Sequence, residues 1–275
     1  MNTKMKARLI RAAVRAGAAF SVGALILIVG YILIMGVPNL APELFAWKYN
    51  SENVSMTPAI AGTLMMVGLS LLISVPFGVG AAIYLTEYAR RGSRLVRIVR
   101  TTTETLAGIP SIIYGLFGAL CFVAALKMGL SLLSGALTLS IMVLPTIMRT
   151  AEEALIAVPD SFREGSFGLG AGRLRTIFKV VLPSAAPGIF SGVILAMGRI
   201  AGETAALIYT AGTVPEIPKS ALNSVRTLAV HMYAISSEGL YVRQGYATAV
   251  FLLGMVIAMN ALSVLVAGKV GRICK

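Results

Sequence analysis

Glu164-Gly165-Ser166-Phe167-Gly168-Leu169-Gly170, followed after nine residues by Val180-Val181-Leu182-Pro183, is a polar, basic, glycine-punctuated stretch in a chain that is otherwise mostly apolar. Pro159 and Asp160 are good helix-starting residues, and Ser161 with Glu164 has the S-x-x-E spacing of a capping box. Gly168, Gly170 and Gly172 interrupt the helical pattern. Arg173 to Val181 begins a second helix, which Pro183 is expected to end. Phe162, Phe167, Leu169, Leu174, Ile177 and Phe178 stand beside Arg163, Arg173, Arg175 and Lys179. Such a mixed face is covered either by a partner protein or by the chain's own helices. The residues alone leave both open.

Around this stretch the composition is that of an integral membrane protein. The chain has 275 residues, of which 57% are hydrophobic and 13% charged, with a mean hydropathy of +0.85. A soluble domain carries roughly a quarter charged residues. Six apolar segments of spanning length are legible, at about 20 residues per span. They run from about Gly17 to Val37, Ile60 to Thr86, Thr105 to Leu126, Leu132 to Met148, Pro187 to Thr210 and Tyr246 to Ala267. The first is too long for a signal-peptide core and lacks a cleavage site, so it reads as an uncleaved span. Pro76 predicts a kink in the second. We divide the chain into residues 1–58 (N-terminal tail, first span and external loop) and 59–275 (spans two to six).

The net charge of +13 is distributed as topology demands, which argues against nucleic-acid binding. Five basic residues precede span one, five lie in Arg90–Arg100, five in Arg149–Lys179 and three after the last span. The alternate connections hold Lys48, Lys127, Lys219, Arg226 and Arg243 only. This asymmetry places both termini and the 149–186 loop in the cytoplasm. Arg94, Arg97 and Arg100, three apart, read as a solvated helix face at the headgroups. In the external 213–245 connection, Leu222, Val225, Leu228, Ala229, Met232 and Ile235 recur at helical spacing and predict an amphipathic helix.

Arg199 and Glu203 lie in the fifth apolar segment, where each charge costs roughly 2.5–3.5 kcal/mol. On a continuous helix they share one face with Gly188, Gly192, Ala196, Ala206 and Thr210 and are able to pair. The bland reading is a buried salt bridge that locks packing. The functional reading is an arginine offered to an anion in transit and tempered by the carboxylate. Other chemistry is poorly supplied. His231, the sole histidine, reads as structural or solvated. There is no Walker lysine motif and no nucleophile–base pair. Glu152, Glu153, Asp160 and Glu164 have arginine neighbours that make ion pairing a better use than metal binding. Cys121 and Cys274 frame no disulfide or metal pattern.

The pattern E-G-S-x3-G-x9-V-x-L-P resembles the coupling motif of ABC importer permeases, E-A-A-x3-G-x9-I-x-L-P. Glu164, Gly170, Leu182 and Pro183 match; Gly165, Ser166 and Val180 are conservative departures. Gly198-Arg199-Ile200-Ala201-Gly202-Glu203-Thr204-Ala205-Ala206 is similar to the R-x-x-G-E-T-A segment of phosphate importer permeases. So are Pro76 to Ala89 and Leu106 to Leu116, and the likeness is closest to the PstA type. The resemblance implies an all-α membrane protein of the type I ABC importer permease fold, with six spans and a cytoplasmic coupling helix between spans four and five. It implies that Glu164, Gly165, Ser166, Gly170, Gly172, Leu182 and Pro183 form the ATPase-coupling loop. Arg199, Glu203 and Thr204 would line the substrate path. The implied partners are a homologous second permease, two copies of an ATPase subunit that binds ATP-Mg, and an external phosphate-binding protein, which the 213–245 connection would help receive. The chain itself would be non-catalytic and hold no cofactor. Sulfate, molybdate or a phosphonate are alternative cargoes. A membrane enzyme acting on lipid phosphate is a remote alternative, because no base or metal site accompanies Arg199.

Overall fold

The computed structural model describes residues 3–90, 92–237 and 239–273, and among these there is no β-strand. Arg91, Cys274 and Lys275 lie outside the described residues, as do the side chains of Lys4, Lys6, Arg8, Lys269 and Arg272. The helices are α1 (Thr3–Gly36), α2 (Thr57–Ile83), α3 (Arg94–Ala107), α4 (Ser111–Gly118), α5 (Leu132–Ile156), α6 (Asp160–Gly168), α7 (Arg173–Thr176), α8 (Leu182–Ala201), α9 (Ala205–Thr210), α10 (Leu228–Ser237) and α11 (Val242–Ile273). Wide π turns extend α2 over Tyr84–Tyr88 and α4 over Ala119–Ala125, and fuse α7 to α8 over Ile177–Val181.

Five helical runs are long and apolar enough to cross a membrane: Ile10–Asn39, Thr57–Tyr88, Leu132–Ile156, Arg173–Ala201 and Val242–Leu265. The expected third span is not one straight helix. Its apolar part, Ser111–Ala125, meets Arg94–Ala107 at 102°, and only the bent pair passes the spanning test. The cause is local. Gly108 ends α3, and Pro110 lacks the amide needed to carry the helix on. Tyr114 pins the corner by donating its hydroxyl to the Leu106 carbonyl at 2.7 Å. Thr105 to Ala107, assigned to the span from sequence, therefore belong to α3. The helix α2 runs unbroken across Pro76.

The centre of the bundle is α2, α5 and α8. Met66, Leu139, Met142, Ile147 and Ile200 are fully buried there, with Leu207 of α9 against them. Apolar side chains gain little from leaving lipid, so close backbone approach has to supply the packing energy. Glycine provides it: a methyl group at Gly78 would strike Ile147, at Gly188 Ala154, and at Gly192 Thr150. Thus the small face predicted on the fifth segment points inward, against α5. Ser140 adds a cross-helix bond, its hydroxyl donating to the Ser70 carbonyl at 3.0 Å. A second apolar cluster joins Ala82 and Leu85, Val96, Leu155 and Val158, and Val181, Ala185 and Ile189 at the loop end of the bundle.

Several boundaries move. The fourth span continues as α5 to Ile156, so residues 149–156 are helix and not loop. Pro183 does not end a helix. It sits in the first turn of α8, just after the wide turn at Ile177–Val181. The fifth span accordingly starts near Arg173, well before Pro187. The capping box is absent: Pro159 occupies the cap position of α6 and no side chain caps it. In the 213–245 connection Leu228–Ser237 is helical and α11 begins at Val242; Leu222 is exposed and outside both. His231 is fully buried in α10 and not solvated, edge-on to Tyr49.

Candidate functional site

Two regions hold the predicted site residues. The first is the break after α8. The segment expected to be one helix from Pro187 to Thr210 stops at Ala201, passes through Gly202, Glu203 and Thr204, and resumes as α9. Gly202 is a helix-ending residue by type, and the Glu203 side chain supplies the restart: its Oε1 accepts from the Ala206 amide at 3.2 Å. Arg199 and Glu203 therefore do not pair across one helical face, which corrects the sequence reading. Arg199 lies in the last turn of α8, where the exposed carbonyls favour a cation. Glu203 lies at the start of α9, where free amides favour an anion. Each charge is stabilised by its own helix end and neither needs the other.

Among the described residues Arg199 makes no hydrogen bond and no ion pair. It is partly exposed and within Coulombic reach of Tyr114. The broken span α8–α9 and the bent pair α3–α4 meet here, because α4 packs on α9. A methyl group at Gly115 would approach the Ala206 backbone to 2.8 Å. Thr204 lines a cavity of about 480 Å³ with Ile32, Met232, Tyr233, Ser236 and Tyr246 among others. Irregular backbone inside a membrane is tolerated where it is buried in protein or lines a water-filled path.

The second region is the loop end. Glu164 and Gly165 are exposed on α6. Ser166 is half-buried, with its hydroxyl 2.9 Å from that of Thr176. Gly170 makes the turn at φ +80°, a conformation that glycine adopts without strain, and Gly172 precedes α7. Phe162, Phe167, Leu169, Leu174 and Phe178 are all exposed, Leu169 at 91%. The chain's own helices thus leave this apolar surface uncovered. Leu182 packs into the second core cluster and Pro183 is half-buried. The motif divides accordingly: residues 164–172 present a surface, and 180–183 fasten it to the bundle.

Ion pairing accounts for Glu152, Glu153 and Asp160, as expected, whereas among the described residues Glu164 makes no ion pair. Arg149 pairs with Glu153 at 3.0 Å. Arg100 does not simply face solvent with Arg94 and Arg97; its Nε donates to Glu152 at 2.8 Å. Sequence reasoning missed Glu87. It is 9% exposed and accepts from Arg163 at 2.7 Å, across 76 residues of sequence. The only sequence signal was a carboxylate directly after the second apolar segment, which does not name its partner. These groups, with Arg90 and Arg173, line a cleft of about 990 Å³. Arg173 stacks over Tyr88 at 4.8 Å.

Within α10, burial and the charge of Arg226 push the His231 imidazole down to about 4, offset in part by the Val54 backbone. Among the described residues neither ring nitrogen has a hydrogen-bond partner of good geometry.

Comparison with known proteins bears on the whole chain. A family model described as "Binding-protein-dependent transport system inner membrane component" matches residues 74–272. A protein named "Probable ABC transporter permease protein YqgI", of Bacillus subtilis, is 32% identical over 255 residues, covering 87% of this chain and 86% of that protein. The phosphate transport system permease protein PstA of Pasteurella multocida is 37% identical, over 66% of this chain and 64% of that one. PstA 1 of Mycobacterium tuberculosis is 40% identical over 56% of this chain, which spans half of its length. In fold, the chain is similar to a bacterial alginate ABC transporter solved with a pentasaccharide-bound periplasmic protein, at TM-score 0.66 and 15% identity over 96% of this chain and 97% of that one. It is also similar to the MetNI methionine ABC transporter, at TM-score 0.59 and 20% identity over 87% and 96%.

Proposed function

Since the chain belongs to the family of binding-protein-dependent transport system inner membrane components, we propose that it is the permease subunit of an ATP-driven importer of inorganic phosphate. The expected PstA-type likeness is borne out by relatives named as phosphate permeases, and the multi-pass helical fold is that of ABC importer permeases. One observation carries the substrate reading: Arg199, at a break in a spanning helix, has no hydrogen-bond or ion-pair partner among the described residues. A planar fork of donors suits an oxyanion with several acceptor oxygens. Glu203, held by the α9 amide, keeps the site from being wholly cationic, which favours release as well as entry.

In this reading both termini and α6 are cytoplasmic. A partner ATPase covers Phe162, Phe167 and Leu169, and ATP-Mg is bound there and not in this chain. A related permease completes the path, and an external phosphate-binding protein delivers the cargo. The test is uptake into proteoliposomes by the assembled complex. Arg199→Ala should lower phosphate uptake at unchanged assembly, and excess sulfate, molybdate or phosphonate should compete poorly with labelled phosphate. Undiminished uptake would remove Arg199 from the path; strong competition by one anion would reassign the cargo.

A further inference from the structure

Arg163 bonds α6 to the ends of α2 and α5. Its Nε and Nη2 donate to Glu87 Oε1 at 3.1 and 2.7 Å. Nη2 also donates to the Leu155 carbonyl at 3.0 Å, and Nη1 to the Val158 carbonyl at 2.8 Å and to Asp160 Oδ1 at 3.2 Å. Arg163 is 15% exposed and Glu87 9%. One guanidinium thus serves three elements. It holds the carboxylate at the end of α2, bonds the Leu155 carbonyl in the last turn of α5 and the Val158 carbonyl just beyond it, and belongs to α6 itself.

The covalent route from α6 to α8 is built differently. It passes through Leu169-Gly170-Ala171-Gly172, with Gly170 at φ +80°. A methyl group at Gly165, Gly168, Gly170 or Gly172 would meet nothing within 4 Å. α6 packs on α7 and on the wide turn Ile177–Val181, and the Ser166 and Thr176 hydroxyls join the two helices. A loop of glycines bends under load, whereas a forked, nearly buried ion pair resists displacement in every direction.

We infer that displacement of α6 is delivered sideways, through Arg163, into α2 and α5, and not only along the chain into α8. This rests on the reading of α6 as the coupling helix. It makes Arg163 and Glu87 positioning residues for transport, with no contact to cargo or nucleotide. The central trio of helices then carries the motion on to α8, since α5 packs on both α2 and α8.

The experiment uses Arg163→Gln, Arg163→Lys and Glu87→Gln in the assembled, reconstituted complex, with phosphate as probe. The first readout is phosphate imported per ATP hydrolysed, which a purely structural role would leave constant per assembled complex. The expected result is at least a tenfold fall for Arg163→Gln and Glu87→Gln, with ATPase still bound and active. Arg163→Lys, which keeps the charge and loses the fork, should fall between. The second readout is amide exchange in the purified full-length chain. Exchange over residues 160–168 should quicken at least tenfold in Arg163→Gln while α8 is unchanged. An unaltered import-to-ATP ratio in both Gln variants overturns the inference, and so does exchange that quickens equally through α8. If Arg163→Gln does not assemble, the ratio for Glu87→Gln decides. A wild-type complex that hydrolyses no ATP would sink the coupling reading instead, and the exchange measurement would still judge the clasp.

Discussion

Arg163 and Arg199 are both arginines in the low-dielectric part of one chain, and their surroundings are opposite. Arg163 has two carboxylates and two carbonyls as acceptors. Arg199 has none among the described residues and relies on the end of α8. A saturated guanidinium has no capacity left for a ligand and serves as a fastener. An unsaturated one, kept affordable by a helix terminus, is available to whatever anion comes near. The same residue type is thus assigned to mechanics at one end of the bundle and to recognition at the other.

The comparison breaks first if Arg163 is dispensable for stability. Arg163→Met leaves Glu87 buried without its cation, and loss of one partner of such a pair costs about 3–5 kcal/mol. Denaturation of the purified chain in detergent should show it, and Glu87→Gln combined with Arg163→Met should recover part of the loss. A change below 1 kcal/mol would mean that the fastener is decorative. His231 provides the next largest effect. Its folded-state value of about 4 lies below the ordinary 6.5, so the unfolded chain binds the extra proton. Stability should be level above pH 6.5 and fall by about 3 kcal/mol as pH drops toward 4. A His231→Leu variant should flatten that slope in the same pH titration.

Arg199→Ala sharpens the contrast from the other side. Charged hydrogen bonds to an anion are worth about 1.5–3 kcal/mol, so phosphate uptake should drop roughly 10–100-fold. Melting of the same variant should stay within about 0.5 kcal/mol of wild type, since nothing in the resting fold leans on the side chain. The smallest effect belongs to Gly170→Ala. The left-handed backbone alone should cost about 1 kcal/mol, with no steric clash to add. A cost several times larger would show that the loop is braced and not free to bend.

Sequence reading recovered the helical class, most spans and the motif, because hydropathy and charge asymmetry are summed over many residues. It failed where one residue decides. Gly202 with Thr204 breaks a segment that hydropathy draws as continuous, and that break cancels the i,i+4 geometry assumed for Arg199 and Glu203. Gly108 and Pro110 bend another by 102°. Conversely Pro183 was read as a stop, although a wide turn just before it lets the helix pass. The Glu87–Arg163 contact was illegible for a different reason: it joins positions 76 apart, and no periodicity reports on a pair that only tertiary packing creates.

The pairing of the first helix with the last has a consequence for synthesis. The principal helical contacts of α1 are with α11: Gly36 lies against the Tyr246 backbone, and Tyr31 stacks edge-on with Tyr246 at 5.7 Å. About 210 residues separate these partners. At roughly 5–20 residues per second of translation, α1 waits on the order of 10–40 s before its docking site exists. Through that interval its apolar length must be shielded by lipid or by the insertion machinery, so a helix with little burial in its own bundle is made long before it finds its place.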